Sequence, residues 1–168
     1  MADNNSTTNI GKGLTAGLAA TVALLILMIL KAQVGLMPGL DIPKMLAGLA
    51  GAPGQPLVGW AVHLVIGIVL YGIAIATLDD RLPGDGSLMH GLVLAVVGWL
   101  IMMLVLLPLA GAGLFGMNMG IMAAVMTLIL HLIFGAVLGW TYGRLMRRDP
   151  ILATDGSATV HSGIPASK

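Results

Sequence analysis

The chain contains no cysteine and no glutamate, and only 9% of its 168 residues are charged. Without cysteine it has no disulfides, thiolate metal sites or cysteine nucleophiles. All seven acidic residues are aspartates outside the long apolar runs, and none of the five serines lies within such a run. Catalysis by paired carboxylates or by a serine nucleophile inside a membrane is therefore not expected. We predict a protein that is not an enzyme.

The rest of the composition is that of a membrane protein. Hydrophobic residues make up 58% of the chain, and the mean hydropathy is +1.00. This leaves too little polar surface for a water-soluble globule, so a lipid bilayer is the expected environment. The net charge is only +1, and the basic residues form no extended surface for nucleic acid. The length suits one domain.

Four apolar runs are separated by breaks rich in proline, glycine and charge. They predict spans at about residues 13–30, 57–78, 88–107 and 119–143, each able to cross a hydrocarbon core of about 30 Å as a helix. We predict an all-α fold, a four-helix transmembrane bundle over residues 13–146. Residues 1–12 and the tail 147–168 are predicted to be disordered. In the first loop, Asp41-Ile-Pro43 predicts the start of a short interfacial helix.

Basic residues flank the predicted spans unevenly. One side of the bundle has Lys12, Arg81, Arg144, Arg147 and Arg148. The other side has only Lys31 and Lys44. Since basic residues are enriched in cytoplasmic loops, both termini are predicted to lie in the cytoplasm.

Two histidines occupy matching positions in the second and fourth runs. His63 begins His-Leu-Val-Ile-Gly67, and His131 begins His-Leu-Ile-Phe-Gly135. Apart from them, no histidine, acidic or basic residue lies deep in an apolar run. A proline break precedes each histidine by 23 to 25 residues. The pattern predicts two tandem two-helix repeats related by a pseudo-twofold axis along the membrane normal, with the histidines at similar depth.

Helical spacing places small residues beside each histidine. One face of the second helix is predicted to carry Gly59, His63, Gly67, Leu70 and Ala74. One face of the fourth is predicted to carry Thr127, His131, Gly135, Gly139 and Tyr142. Small residues at intervals of four let helices approach closely. We therefore predict helix packing at the glycines 59, 67, 135 and 139.

The histidines have two interpretations. In the one we favour, they are packing residues that form interhelical hydrogen bonds, and no cofactor is bound. In the other, His63 and His131 bind haem b or copper, because neutral imidazole is a common metal ligand. Thioethers select Cu(I), so methionines could complete a copper site. The candidates are Met117, Met119, Met122 and Met126. Methionine also fills gaps in apolar cores, and we favour that role for these four.

Three features together resemble an uncharacterised family of small four-span prokaryotic integral membrane proteins. They are the glycine-rich first span, Gly59-Trp-x-x-His63 in the second, and His131-Leu-x-x-Gly135 in the fourth. The resemblance covers about residues 12–146. It implies a multi-pass protein of the prokaryotic inner (cytoplasmic) membrane, and it implies no activity or site.

The expected function is helix association in the membrane, as a homo-oligomer or as an accessory subunit of a larger complex, for example a respiratory one. The small-residue faces and short connections support this expectation. One alternative is a protein that binds haem b or copper through His63 and His131. Another is a small transporter, although no intramembrane charge marks a path for a substrate or coupling ion.

Overall fold

The computed structural model describes residues 3–35, 39 and 41–155. Within these residues there is no strand, and the main elements are five helices. They are α1 (Asp3–Gln33), α2 (Ile42–Leu49), α3 (Pro56–Arg81), α4 (Ser87–Leu109) and α5 (Ile121–Asp155). All but α2 are long and apolar enough to cross a membrane. The prediction of an all-α, four-helix bundle is confirmed.

The first and last helices are longer than predicted. Helix α1 begins at Asp3, so residues 3–12, expected to be disordered, form its first turns. Helix α5 continues to Asp155, so part of the expected disordered tail is helical too. Residues 156–168 of that tail lie outside the described residues. Nucleating a helix is costly whereas extending it is not, so a helix formed in the membrane extends readily into flanking residues.

Helix α1 packs between α3 and α5, and α4 packs along α5. Contacts between α3 and α4 are few. The four long helices therefore form a ring in the order α3, α1, α5, α4. With four antiparallel helices, the start of α1 and the end of α5 lie at one end of the bundle, here called the terminal end. The connections between α1 and α3 and between α4 and α5 form the opposite, loop end.

Glycines bring neighbouring helices into close contact. A Cβ atom on Gly135 of α5 would lie 2.5 Å from both the Ala95 Cβ and the Gly91 carbonyl oxygen of α4. A Cβ on Gly17 of α1 would lie 2.7 Å from the Ile68 carbonyl oxygen of α3. Ordinary contacts begin at 3.4 Å. These two crossings therefore require the absence of a side chain.

Helices α3 and α4 each contain a π-helical segment, Val65–Leu70 and Met102–Leu106. The backbone N–H that closes each segment bonds to a carbonyl five residues back: Tyr71 to Ile66, and Leu107 to Met102. A π segment inserts one extra residue into the turn, so the helix beyond it is rotated by about 100°.

Because of this rotation, the inward face of α3 differs from the predicted one. Leu70, expected to face inward with Gly67, is 62% exposed. Beyond the π segment, Gly72 and Ile75 are the buried residues instead. The prediction for Leu70 was wrong because it assumed 3.6 residues per turn along the whole helix.

The tandem repeat stays a prediction. A twofold axis that exchanged α1 with α4 and α3 with α5 would produce the ring order described above. However, the two π segments lie in α3 and α4. The repeat would make α3 equivalent to α5 and α4 equivalent to α1, so the two π segments do not occupy equivalent helices.

The short helix α2 lies against the loop end of the bundle. The Asp41 side chain accepts a hydrogen bond of 3.0 Å from the Lys44 backbone N–H, and Pro43 occupies the first turn. Pro43 packs directly on Gly59 of α3, where an added Cβ would meet the proline carbonyl. The predicted short helix is therefore present, and it is held against α3 at a glycine.

The terminal half of the bundle is tightly packed. Its core is a cluster of buried apolar side chains from α1, α3, α4 and α5. The cluster consists of Ala16, Ala20, Ile75, Leu94, Phe134, Leu138 and Tyr142. The loop half contains a second cluster, around Met103 and Leu107. Because the terminal half is closely packed, the open space inside the bundle lies in its loop half.

Candidate functional site

A cavity of about 130 Å³ lies inside the bundle on the loop side. All four long helices and α2 line it. On α1 its lining runs from Thr21 to Lys31, and the ten steps between these two residues span about 15 Å at 1.5 Å per residue. Toward the terminal end, the rings of Tyr71 and Phe134 meet edge to face with centroids 4.9 Å apart. Both rings also line the cavity.

The two histidines predicted to be matched in depth both line this cavity. His63 comes from α3 and His131 from α5. Folding thus brings together two imidazoles that are 68 positions apart in the sequence.

The tautomer of His131 follows from its hydrogen bond. Its Nδ1 lies 2.8 Å from the Thr127 carbonyl oxygen, one turn earlier on α5. A carbonyl can only accept, so Nδ1 carries the proton and donates it. In the neutral ring Nε2 is then the nitrogen with the lone pair. His131 is therefore set up as an acceptor or a metal ligand through Nε2.

His63 lacks such a restraint. Its Nδ1 atom is buried and has no hydrogen-bond partner among the described residues. The ring meets Trp60 edge-on, with centroids 6.1 Å apart. A buried polar atom without a partner costs about 1–3 kcal/mol. The sequence suggested an interhelical hydrogen bond for this histidine, whereas in the structure one ring nitrogen is left to a ligand or a water.

Tyr71 is a polar residue of the cavity that regular helical spacing does not predict. Its ring lines the cavity, and its hydroxyl packs directly on Gly98 of α4. A Cβ at Gly98 would clash with that hydroxyl. Tyr71 follows the π segment of α3, so 3.6-residue spacing could not place it. No pattern in the sequence marks Tyr71 as a residue of the site.

Two threonines also line the cavity, and helix carbonyls satisfy their hydroxyls. Thr21 donates to the Gly17 carbonyl at 2.7 Å, and Thr127 donates to the Ala123 carbonyl at 2.7 Å. The Trp99 indole N–H donates to the Thr127 hydroxyl oxygen at 3.2 Å. These bonds fix α4 against α5 beside His131. The threonines therefore shape the site and leave the histidines and Tyr71 as its less satisfied polar groups.

The lining also contains two methionines, Met28 of α1 and Met102 of α4. Met102 lies in the π segment of α4. The thioethers predicted from the sequence as candidate copper ligands lie elsewhere, at the start of the fourth span. Of those four residues, Met117 and Met122 are 64% and 57% exposed.

The other two methionines of that group also lie away from the cavity lining. Met119 packs against the second apolar cluster, and Met126 is partly buried on α5. None of the four is among the described residues that line the cavity. The thioethers that line the cavity together with the histidines are those of Met28 and Met102.

The four predicted packing glycines all lie at close contacts within the chain. Gly59 meets Pro43 of α2, and Gly67 meets the Thr21 hydroxyl of α1. Gly135 meets Gly91, as described above, and Gly139 meets the Ser87 carbonyl of α4. Gly67 lines the cavity, whereas Gly135 and Gly139 join α4 and α5 nearer the terminal end. The four glycines therefore pack elements of the same chain against one another.

Charge in the cavity is sparse. Among the described residues that line it there is no carboxylate, and Lys31 contributes the one basic side chain, at the loop end. In the described part of the chain, no three histidine or acidic side chains come together as a potential metal site. Any ion bound here would depend on the imidazoles and thioethers.

A second polar contact lies at the terminal end. His90 is 8% exposed, and its Nδ1 lies 2.7 Å from an Asp79 carboxylate oxygen while its Nε2 lies 3.0 Å from the Gly84 carbonyl. Both partners are acceptors, so the geometry suits a doubly protonated ring. This contact joins the end of α3 to the start of α4. It stabilises the turn between α3 and α4 and lies apart from the cavity.

The four long apolar helices define this chain as a multi-pass integral membrane protein with a mainly apolar cavity inside its bundle, lined by two histidines. The chain belongs to DUF6789, a family of unknown function, which matches residues 7–153. The expectation of an uncharacterised family is thereby confirmed. No curated protein and no solved structure matches the chain.

Proposed function

We propose that this protein is a non-enzymatic membrane protein that binds a small ligand in the cavity between His63 and His131. The observation that carries the proposal is that both imidazoles and the Tyr71 side chain line one cavity in the bundle interior. Polar groups in such an interior are costly unless they find partners. A bound ligand would supply those partners, and this gives a reason for keeping the polar groups there.

The size of the cavity limits what it holds. Sites for drug-sized ligands typically measure about 300–1,000 Å³, whereas this cavity measures about 130 Å³. A porphyrin would require the helices to separate at crossings that glycines hold close. Of the two cofactors considered from the sequence, a metal ion therefore fits better than haem b.

Binding is a better proposal than catalysis or transport. The described lining residues include no carboxylate and no serine, and the two lining threonine hydroxyls donate to helix carbonyls. A histidine here therefore has no acidic partner and no serine nucleophile beside it. The apolar cluster around Phe134 and Leu138 fills the terminal half. A path through the bundle would have to cross that cluster, so we do not propose transport.

The loop end is proposed to face the outside of a prokaryotic inner membrane, with both termini in the cytoplasm. The excess of basic residues at the terminal end supports this orientation. A ligand would then enter from the outer side, beside α2. Ile42 and Leu46 of α2 line the cavity at that end.

The proposal requires that small aqueous solutes reach the cavity. The natural chain has no cysteine, so a single introduced thiol can be labelled without background. Leu130 lines the cavity, whereas its neighbour Ile129 is 45% exposed on the outer surface of the bundle. The two positions lie at nearly the same depth on α5. They form a matched pair that differs in the direction each side chain faces.

We expect Leu130→Cys to react with 2-aminoethyl methanethiosulfonate in liposomes, and Ile129→Cys to stay unmodified because its thiol lies in lipid. Mass spectrometry after a timed exposure gives the modified fraction. The expected rate is at least tenfold higher for Leu130→Cys. Equal rates at the two positions would contradict a binding cavity that solutes can reach.

A second candidate function, self-association or membership in a larger membrane complex, is favoured by one observation. Large apolar side chains are exposed at the loop end, among them Leu57 at 82%, Val34 at 73% and Leu109 at 69%. Light scattering of the detergent-extracted protein measures its mass. A protein that elutes as a monomer without partners after gentle extraction would count against association.

A further inference from the structure

We infer that the ligand of this cavity is Cu(I), held by the imidazoles of His63 and His131 together with the thioethers of Met28 and Met102. All four residues line the cavity, and they come from α1, α3, α4 and α5. This inference rests on the proposed function, because it names the ligand of the same cavity.

The donor set decides the class of metal. Thioethers are soft ligands that select Cu(I), and imidazole binds copper as well as zinc, iron and nickel. Calcium and magnesium require oxygen ligands, mainly carboxylates. The described lining residues contribute no carboxylate. Two imidazoles and two thioethers around a space of about 130 Å³ therefore suit a soft ion and not a hard one.

The charge of the ion also matters. The cost of taking an ion out of water rises steeply with its charge, and the described lining residues include no carboxylate to compensate it. Lys31 lines the loop end of the cavity, three residues beyond Met28 on α1. Repulsion from a lysine is proportional to the charge on the ion. Both effects favour a monovalent ion over a divalent one.

The hydrogen bond of His131 prepares it as a ligand. Histidines that bind metals almost always donate their other ring N–H to a carbonyl, carboxylate or water. His131 donates Nδ1–H to the Thr127 carbonyl at 2.8 Å, so Nε2 keeps its lone pair. Thr127 is in turn tied to Trp99 of α4. The ring is thus oriented before any ion arrives.

His63 contributes a ring whose tautomer no partner fixes. Its Nδ1 atom is buried without a hydrogen bond among the described residues. Either nitrogen can therefore carry the proton, and the other can bind the ion. Binding an ion at this ring would offset part of the cost of burying it.

The test uses the purified full chain under argon, with Cu(I) kept reduced by ascorbate and held by the chromophoric chelator bicinchoninate. Transfer of Cu(I) to the protein lowers the absorbance of the chelate. We expect one Cu(I) per chain. His131→Gln and the double variant Met28→Leu/Met102→Leu should each bind at least tenfold more weakly. Leucine has nearly the volume of methionine, so the double variant should keep its fold, which its melting temperature checks.

The matched control is Met117→Leu/Met122→Leu, which removes two exposed thioethers outside the cavity. It should bind Cu(I) as tightly as the parent. Zn(II) offered at the same concentration should not displace Cu(I). Binding that survives in the Met28→Leu/Met102→Leu variant, or that is lost in the control variant, would overturn the assignment.

The outcomes separate this inference from the proposed function. If Leu130→Cys labels selectively and the parent takes no Cu(I) from the chelator, the copper assignment fails and the binding cavity remains. If Leu130→Cys and Ile129→Cys label equally, the cavity proposal fails, and the copper assignment fails with it.

Discussion

Substituting alanine for Gly135 tests the close crossing of α4 and α5. The added Cβ would lie 2.5 Å from both the Gly91 oxygen and the Ala95 Cβ, where ordinary contacts begin at 3.4 Å. The helices would therefore have to separate by about 0.9 Å, the difference between these two distances. The Gly91 oxygen belongs to a helix backbone and cannot rotate away. Overpacking of this kind costs about 1–3 kcal/mol.

The control is Gly11→Ala on α1, where an added Cβ meets nothing within 4 Å. Both substitutions gain the same helix propensity, up to about 1 kcal/mol, so their difference isolates the packing cost. We expect Gly135→Ala to be less stable than Gly11→Ala by about 1–3 kcal/mol. The assay is unfolding by dodecyl sulfate in mixed micelles, followed by tryptophan fluorescence. If both variants unfold at the same detergent fraction, our account of this crossing is refuted.

Two further predictions concern the ends of the bundle. Gly59→Ala should push Pro43 and α2 away from α3, so the thiol of a Leu130→Cys background should label several-fold faster. Gly48→Ala, at an exposed position of α2 with open space around it, should leave the labelling rate unchanged. Equal labelling rates in the Gly59→Ala and Gly48→Ala variants would contradict the contact between Gly59 and Pro43. His90→Ala removes two hydrogen bonds at the terminal end and should cost about 1–3 kcal/mol; an unchanged unfolding midpoint would show that this contact adds no stability.

Much of the inward face of α5 could be predicted from the sequence. Regular spacing predicted that residues from Thr127 to Tyr142 share one face, and Thr127 and Tyr142 are 3% and 1% exposed. This succeeded because α5 is described as one unbroken α-helix. The same reasoning failed for Leu70 of α3, because a π segment changes the number of residues per turn.

The candidate site was predicted only in part. The matched histidines could be identified because ionisable groups are rare in apolar runs and costly in a membrane. Tyr71, Met28 and Met102 are ordinary residues of apolar helices, and nothing in their local sequence sets them apart. The thioethers at positions 117 to 126 carried the more conspicuous pattern, yet they lie away from the cavity lining.

The sequence by itself determined the environment and the secondary structure. In lipid the backbone polar groups must be satisfied internally, and continuous apolar runs of about 20 residues do this as helices. The order of the helices in the ring and the positions of the π segments were decided by the tertiary structure. So were the convergence of two imidazoles and two thioethers on one cavity. These features depend on which surfaces fit against each other, and glycine contacts between distant segments decide that fit.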